Sequence, residues 1–522
     1  MGNKLELTWY GKEQEISVEP RLLIERAELS NTAAAPDTEN MLIHGDNLLA
    51  LKALESRYKG QVKCIYIDPP YNTGNAFDKY NDHLEHSIWL SLMYKRFQYL
   101  YSLLSIDGFM FVNLDEQEHA YAKVILDSIF GRVNYIGDII WQKRKGGGND
   151  SRYLALDHDY ILVYAKDASK ETHPIKWKTC QSEEYLKRYK EVDDDGKKYY
   201  WDTVARDGLK NPIPVTITCP DGFILSINSQ MSQNTIEEGL QNGMVRLTKS
   251  KNGWTLHHRV YMKDGQVQRS IMNDVGTNKT AGDEMLYLFG DTKAFPYPKP
   301  ESLISRILEL ATKKGDLVLD SFLGSGTTAA VAHKMGRRYI GIEMGEHAYT
   351  HCKKRLDMVV SGEDKGGISK AVDWKGGGGY RFYELAPTLV NKDEFGEYVI
   401  NPEYSADMLA AAMALHEGYT YQPDSNIFWK QSHGSENAYL FVTTRHLNAA
   451  FMQSIVGTMQ ENESLVIACC SFDKGVEKIN PHITVKKIPQ MLLERCEFDK
   501  SDYNLNIIHP PVYEDEEDCD EE

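Results

Sequence analysis

The stretch Asp316-Leu317-Val318-Leu319-Asp320-Ser321-Phe322-Leu323-Gly324-Ser325-Gly326-Thr327-Thr328 reads as a buried strand, a tight glycine loop and the start of a helix. Glycines in such a loop tolerate positive φ and let backbone approach a ligand closely. An apolar helix follows from Ala329 to Met335. A second strand, Arg338 to Ile342, then ends at Glu343. An acid at the end of the strand after a glycine loop is placed to hold ribose hydroxyls. The pattern predicts a parallel α/β sheet of the Rossmann-like kind. Dinucleotide-binding folds share this layout, but the third glycine of their GxGxxG fingerprint is missing here. Asp320 would also crowd an anionic pyrophosphate, whereas a cationic sulfonium ligand such as S-adenosylmethionine meets no such conflict.

Far upstream, the apolar run Val62-Lys63-Cys64-Ile65-Tyr66-Ile67 leads into Asp68-Pro69-Pro70-Tyr71. A carboxylate, two prolines and an aromatic ring at the end of a strand suit the grip of a planar amino-purine. The carboxylate accepts a hydrogen bond from the exocyclic amine. The prolines fix the backbone so that a carbonyl accepts a second one. The tyrosine offers a stacking face worth roughly 1–3 kcal/mol per base. The bland alternative is a loop that merely turns, since Pro-Pro is a common breaker.

Taken together, these motifs resemble a DNA adenine-N6 methyltransferase of the permuted β class. More narrowly, the chain resembles the modification subunit of type III restriction–modification systems. His44-Gly45-Asp46-Asn47-Leu48-Leu49-Ala50-Leu51 matches the stretch that this family carries before its catalytic strand. Asn72-Thr73-Gly74-Asn75 extends the tetrapeptide as the subfamily does. Gly108-Phe109-Met110-Phe111-Val112-Asn113-Leu114-Asp115-Glu116 resembles its next strand and acidic turn. Phe295-Pro296-Tyr297-Pro298-Lys299-Pro300 resembles the element that precedes its cofactor loop. The resemblance covers roughly residues 40 to 385.

The resemblance implies a function: methyl transfer from S-adenosylmethionine to N6 of an adenine flipped out of duplex DNA. It implies Asp68, Pro69, Pro70 and Tyr71 as the catalytic set. It places Asp320, Phe322, Gly324 and Gly326 around the methionine part of the cofactor, Thr327 near its carboxylate, Glu343 on the ribose and Asp46 on the adenine amine. Lys299 and Pro300 belong to the additional cofactor element. Asp46 has a second reading as a helix N-cap, Thr327 as a helix start, and Lys299 as an ordinary loop residue. A homodimer, and docking of a restriction subunit, follow from the same resemblance. Two alternatives stand beside it. Cytosine-N4 methylation uses the same amine chemistry, although that group more often carries Ser where Asp68 stands. A non-catalytic DNA-recognition subunit of a larger complex is the other.

The chain has 522 residues, enough for two or three domains. Residues 1–40 read as an N-terminal extension and 41–140 as the first half of the methyltransferase sheet. Trp89, Met93 and Phe97, at helical spacing within that half, read as core. Residues 291–388 read as the second, cofactor-binding half. Residues 389–511 read as a C-terminal α/β accessory or assembly domain without a catalytic motif, and 512–522 as an acidic tail. Between them, 141–290 reads as an inserted target-recognition domain. The net charge of −17 argues against a generally basic DNA-binding surface. The segment from Trp141 to Pro300, however, holds 24 Lys and Arg against 21 Asp and Glu. Lys143, Arg144, Lys145, Lys249, Lys251 and Arg259 are its candidate DNA contacts; ordinary solvated charge is the competing reading for each.

The eight cysteines show no metal-ligand spacing, so no metal is expected. With no signal-like or membrane-spanning run, a reduced, cytoplasmic protein is the expectation.

Overall fold

In the computed structural model, the described residues are 7–13, 17–71, 82–146, 153–170, 177–179, 183–205, 208, 210–251, 253–263, 265–493, 496 and 498. The Asn72–Asn75 extension, the Gly147–Asn149 loop and the 512–522 tail lie outside them. The chain forms two compact units, one of residues 1–174 and 269–522 and the other Ile175–Gln268.

The larger unit is built on a ten-stranded sheet. Its order runs Leu23–Glu25, Arg381–Leu385, Met41–His44, Arg338–Glu343, Leu317–Asp320, Val62–Ile67, Leu104–Leu114, His158–Ala165, Tyr135–Gln142, Ile271–Met272. The six strands from Arg381–Leu385 to Leu104–Leu114 are parallel to one another. Each of the inner ones is almost wholly buried, which is why they read as continuous apolar runs rather than alternating ones.

The register explains where a site forms. Leu317–Asp320 is followed by the helix Thr327–Lys334 and returns through Arg338–Glu343 on one side. Val62–Ile67 is followed by the helix Asp82–Leu103 and returns through Leu104–Leu114 on the other side. These two strands are direct neighbours, with Val318 opposite Cys64 and Leu319 opposite Ile65. The chain therefore departs in opposite directions from adjacent strands. A crevice opens at such a switch point, outside the carboxyl ends of the strands.

Packing follows the periodicity of the helices. Trp89, Met93, Phe97 and Leu100 are fully buried against Ile65, Met110 and Leu162 in one continuous core. Full burial of a side chain of this size contributes roughly 1.5–3 kcal/mol. The N-terminal residues are less peripheral than their composition suggests. Glu19 is completely buried; its carboxylate accepts from the Leu389 amide at 2.7 Å and the Thr388 hydroxyl at 2.9 Å. Leu23–Glu25 closes the sheet edge against Arg381–Leu385.

The inserted compact unit is narrower than the 141–290 segment. Tyr135–Gln142 and His158–Ala165 pair in the large sheet, and Ile271–Met272 closes its far edge. Their apolar faces find partners only there, whatever the local loss of helical periodicity. Ile175–Gln268 itself holds a four-stranded antiparallel sheet and a two-stranded ribbon around Val215, Ile236, Val245 and Leu256.

Residues after 389 add a five-stranded sheet to the larger unit. Ala438–Thr443, Ser464–Cys469 and Ile483–Lys487 run parallel, packed by the helices Ala406–Glu417 and Ala449–Val456. Among the described residues no helix is long and apolar enough to cross a membrane. No cluster of His, Cys, Asp and Glu fit to hold a metal occurs among them.

Candidate active site

Asp68 leaves the carboxyl end of Val62–Ile67 directly beside the glycine loop. Both of its oxygens are engaged. Oδ1 accepts from the Tyr71 hydroxyl at 2.7 Å and from Asn113 Nδ2 at 3.1 Å. Oδ2 forms an ion pair with Lys299. Lys299 also lies 5.3 Å from the centre of the Tyr71 ring. Pro298, Lys299 and Pro300 are buried, and Pro300 is the N-cap of the helix Glu301–Ala311. The Pro70 carbonyl is taken by the Trp89 indole at 2.8 Å.

The cofactor loop is shaped by close approach. Gly324 and Gly326 have φ of +57° and +81°. A Cβ on Gly324 would lie 3.0 Å from the Phe295 ring, and one on Gly326 would lie 3.1 Å from Cys352 Cα. Gly324 N–H donates to Glu343 Oε2 at 2.7 Å, and Gly345 N–H donates to Oε1 at 3.0 Å. Thr327 caps a three-way contact: its hydroxyl donates to the Lys299 carbonyl at 3.2 Å and receives Arg355 at 2.8 Å. Thr327 thus ties the Lys-Pro element to the glycine loop.

Asp46 serves as the N-cap of Asn47–Tyr58, accepting from Leu48 and Leu49 amides at 2.8 and 3.1 Å. Its second oxygen pairs with Arg96 at 3.1 Å. Asn47 donates to the Ser321 carbonyl at 2.7 Å, which fixes that helix start against the glycine loop.

A narrow cleft lined by Tyr66, Asp68, Lys299, Asp320, Phe322 and Gly324 joins the two motifs. Two buried hydroxyls, Tyr66 Oη and Ser321 Oγ, have no partner among the described residues. Orphaned polar atoms beside a glycine cradle and a set of carboxylates fit a polar, positively charged ligand. That chemistry matches S-adenosylmethionine.

Asp320 carries a strong electrostatic signature in the cleft. Burial pushes its carboxyl up to about 7. Hydrogen bonds from the Thr328 hydroxyl and the Phe322 amide oppose the rise, while Asp68 and Glu343 add to it. A cation bound in the cleft favours the ionised form. Cofactor affinity is therefore expected to rise as pH passes through about 7, with proton release on binding, and to flatten in Asp320→Asn. Calorimetric titration in buffers of different ionisation enthalpy measures this; a flat wild-type profile contradicts it. The stability effect has the opposite sense. The folded state binds this proton more tightly than an ordinary aspartate of 3.8, so the contribution is complete below that value and is lost as pH rises through about 7.

Several site residues were not singled out from sequence. Asn113 is fully buried at the end of the strand next to Asp68. Asp159 starts an antiparallel strand, which brings its N-terminal end to the same sheet edge. The available signal was an acid directly heading the apolar run Tyr160–Ala165. Lys143, expected to face DNA, instead points into the site and pairs with Asp159 at 2.6 Å. Arg144 and Lys145 are exposed and hold the carbonyls of Leu156 and Asn273.

Within the compact insertion, the basic and aromatic patch is split between two faces of the antiparallel sheet. Arg246 and Arg259 stack over Trp201, with Arg259 also over Tyr199. Lys249 pairs with Trp254 across the strands on the opposite face and binds Asp221 at 2.6 Å. Lys251 is exposed.

A Rossmann-like sheet that brings the Asp68–Tyr71 tetrapeptide and a glycine cradle together at one switch point is the arrangement of a DNA-methylase fold. The chain belongs to the N6/N4 DNA methylase family, whose model matches residues 62–354. It is 35% identical over 418 residues to the "Probable type III restriction-modification enzyme HindVI Mod subunit" of Haemophilus influenzae, covering 69% of this chain and 56% of that one. It is 31% identical over 364 residues to the type III restriction-modification enzyme StyLTI Mod subunit of Salmonella typhimurium, covering 61% and 54%. Against the EcoP15I Mod subunit of Escherichia coli it is 25% identical over 517 residues, covering 79% and 77%. The chain thus spans a little over half the length of the first two relatives.

Proposed function

We propose that the protein transfers a methyl group from S-adenosylmethionine to N6 of an adenine in duplex DNA, as the modification subunit of a type III restriction–modification system. The observation that carries this reading is the adjacency of Asp68 and the Gly324–Thr327 loop on neighbouring strands at the switch point. The names of the Mod-subunit relatives support the type III part of it.

The N6 lone pair is delocalised into the purine ring, so the amine is a poor nucleophile. Asp68 and the Pro69 carbonyl would accept its two N–H bonds and draw the nitrogen towards tetrahedral geometry. The bound cofactor supplies an electrophilic methyl carried on a sulfonium. Most of the acceleration then comes from alignment of amine and methyl. The surrounding carboxylates favour positive charge developing on nitrogen. Within a duplex this geometry is out of reach, so the base must flip at a few kcal/mol, partly offset by stacking on Tyr71. Incubating the purified chain with methyl-labelled cofactor and DNA, then digesting to nucleosides, tests the reading. Label in N6-methyladenine supports it; label in N4-methylcytosine selects the alternative substrate; no label removes both.

We infer that Ile175–Gln268 selects the methylated sequence. Its support is the basic and aromatic composition and its separate compact core. Exchanging this unit with that of a related enzyme is expected to transfer specificity. A folded, active chimaera that keeps its original site contradicts the assignment. The relatives' names, each a subunit of a restriction-modification enzyme, support a restriction partner; we propose a homodimer as well, with residues after 389 serving assembly. Light scattering of the intact chain, alone and with a co-expressed restriction subunit, measures both.

A further inference from the structure

We propose that Asp159 is a positioning residue for methyl transfer: it takes over the Tyr71 hydroxyl when the amine of the target base engages Asp68. This rests on the proposed role of Asp68 and extends it to a residue outside the tetrapeptide.

Asp68 is crowded. Tyr71, Asn113 and Lys299 all hold its carboxylate. Oδ1 already takes two donors, Tyr71 and Asn113, which fill its two acceptor sites, so for Oδ1 to accept an N–H from a base one of these two has to turn away. The Tyr71 hydroxyl has a single proton and lies between two carboxylates, 2.7 Å from Asp68 Oδ1 and 3.3 Å from Asp159 Oδ2. A small rotation about the C–O bond moves the proton from one acceptor to the other. The Tyr71 hydroxyl thus keeps a partner throughout, and losing one is otherwise costly. The ring keeps its place for stacking, and Asp68 gains a free lone pair.

Asp159 is built for this task. It is 2% exposed, and Lys143 at 2.6 Å compensates its buried charge. Asn113 Nδ2 lies 3.5 Å from the same Oδ2 and also donates to the Tyr71 oxygen, so the amide braces both groups. Burial and the two carboxylates hold the Tyr71 phenol well above its ordinary range, so it stays a donor.

The test is a double-mutant cycle on methyl transfer by the full chain. Asp159→Ala is expected to lower kcat about tenfold while KM for the cofactor stays within about twofold. Asp159→Asn, which keeps an acceptor oxygen, should recover most of the loss. Tyr71→Phe keeps the ring and removes the hydroxyl; in that background Asp159→Ala should add less than about twofold. A full further tenfold loss there overturns the proposal, since Asp159 would then act by another route. If Asp159→Ala fails to fold, Asp159→Leu, which also removes the acceptor, decides by the same criterion with and without Tyr71→Phe. In that pair, a loss from Asp159→Leu equal in the two backgrounds, or no loss in either, counts against it. Failure of the underlying reading is visible separately, as turnover retained in Asp68→Ala.

Discussion

Asp68→Ala is expected to lower methyl transfer at least a thousandfold while duplex affinity changes by no more than a few-fold. The carboxylate is the side-chain acceptor at the switch point that the target amine would reach. Its loss removes the pull on the N–H bond and leaves Lys299 without its partner beside the reacting centre. A thousandfold corresponds to about 4 kcal/mol of transition-state stabilisation. Duplex affinity, by contrast, is dominated by phosphate contacts that Asp68 does not make. Single-turnover transfer of labelled methyl, paired with a binding titration at fixed salt, measures the two effects together. Retention of more than about a tenth of the wild-type rate rules out Asp68 as the catalytic acceptor. An equal loss in binding and turnover points to misfolding, which unchanged cofactor affinity excludes.

The second large effect concerns stability. Arg355→Ala is expected to destabilise the larger unit by about 3 kcal/mol, within the range for breaking a buried ion pair. Arg355 is fully buried beneath the cofactor loop. It pairs with Glu301 at 2.9 Å, lies 3.9 Å from Glu284 and donates to Thr327 Oγ1 at 2.8 Å. Lys334, also fully buried, binds Glu301 at 2.8 Å and Asp364 at 2.7 Å. Three carboxylates thus share two cations. Burial, and then the neighbouring Glu301, push the Glu284 carboxyl up to about 7. Removing Arg355 leaves Lys334 alone against Glu301 and Asp364, and it takes away the donor that Arg355 gives to the Thr327 hydroxyl. The shift in chemical denaturation midpoint, followed by tryptophan fluorescence, reads the loss. Weaker cofactor binding should accompany it. A change below about 1 kcal/mol means the network is replaceable.

Much of this architecture was legible in local pattern. The run of Val62–Ile67 and the strand, glycine loop and helix of Leu317–Thr327 announce themselves by apolar continuity and by glycines at positive φ. The helix His119–Phe130 ends where its amphipathic pattern stops at Gly131. Trp89, Met93, Phe97 and Leu100 fall on the buried face that helical spacing assigns them. Such features depend on near neighbours along the chain, so a sequence carries them openly.

Other features depend on which strands lie side by side, and that is a property of the whole sheet. Antiparallel return places Asp159 and Lys143 beside Tyr71, although 88 residues separate Tyr71 from Asp159. The apolar segments near 140, 160 and 271 look like part of a loop-rich insertion until their faces find the large sheet, which confines the separate unit to Ile175–Gln268. Cross-strand spacing divides Arg246 and Lys249 between opposite faces, because three residues along a strand reverse the side chain's direction. The chemistry of Asp68 and Gly324 is local in origin. Their meeting is not: it arises because burying two apolar strands against one another leaves their carboxyl ends open at a single crevice.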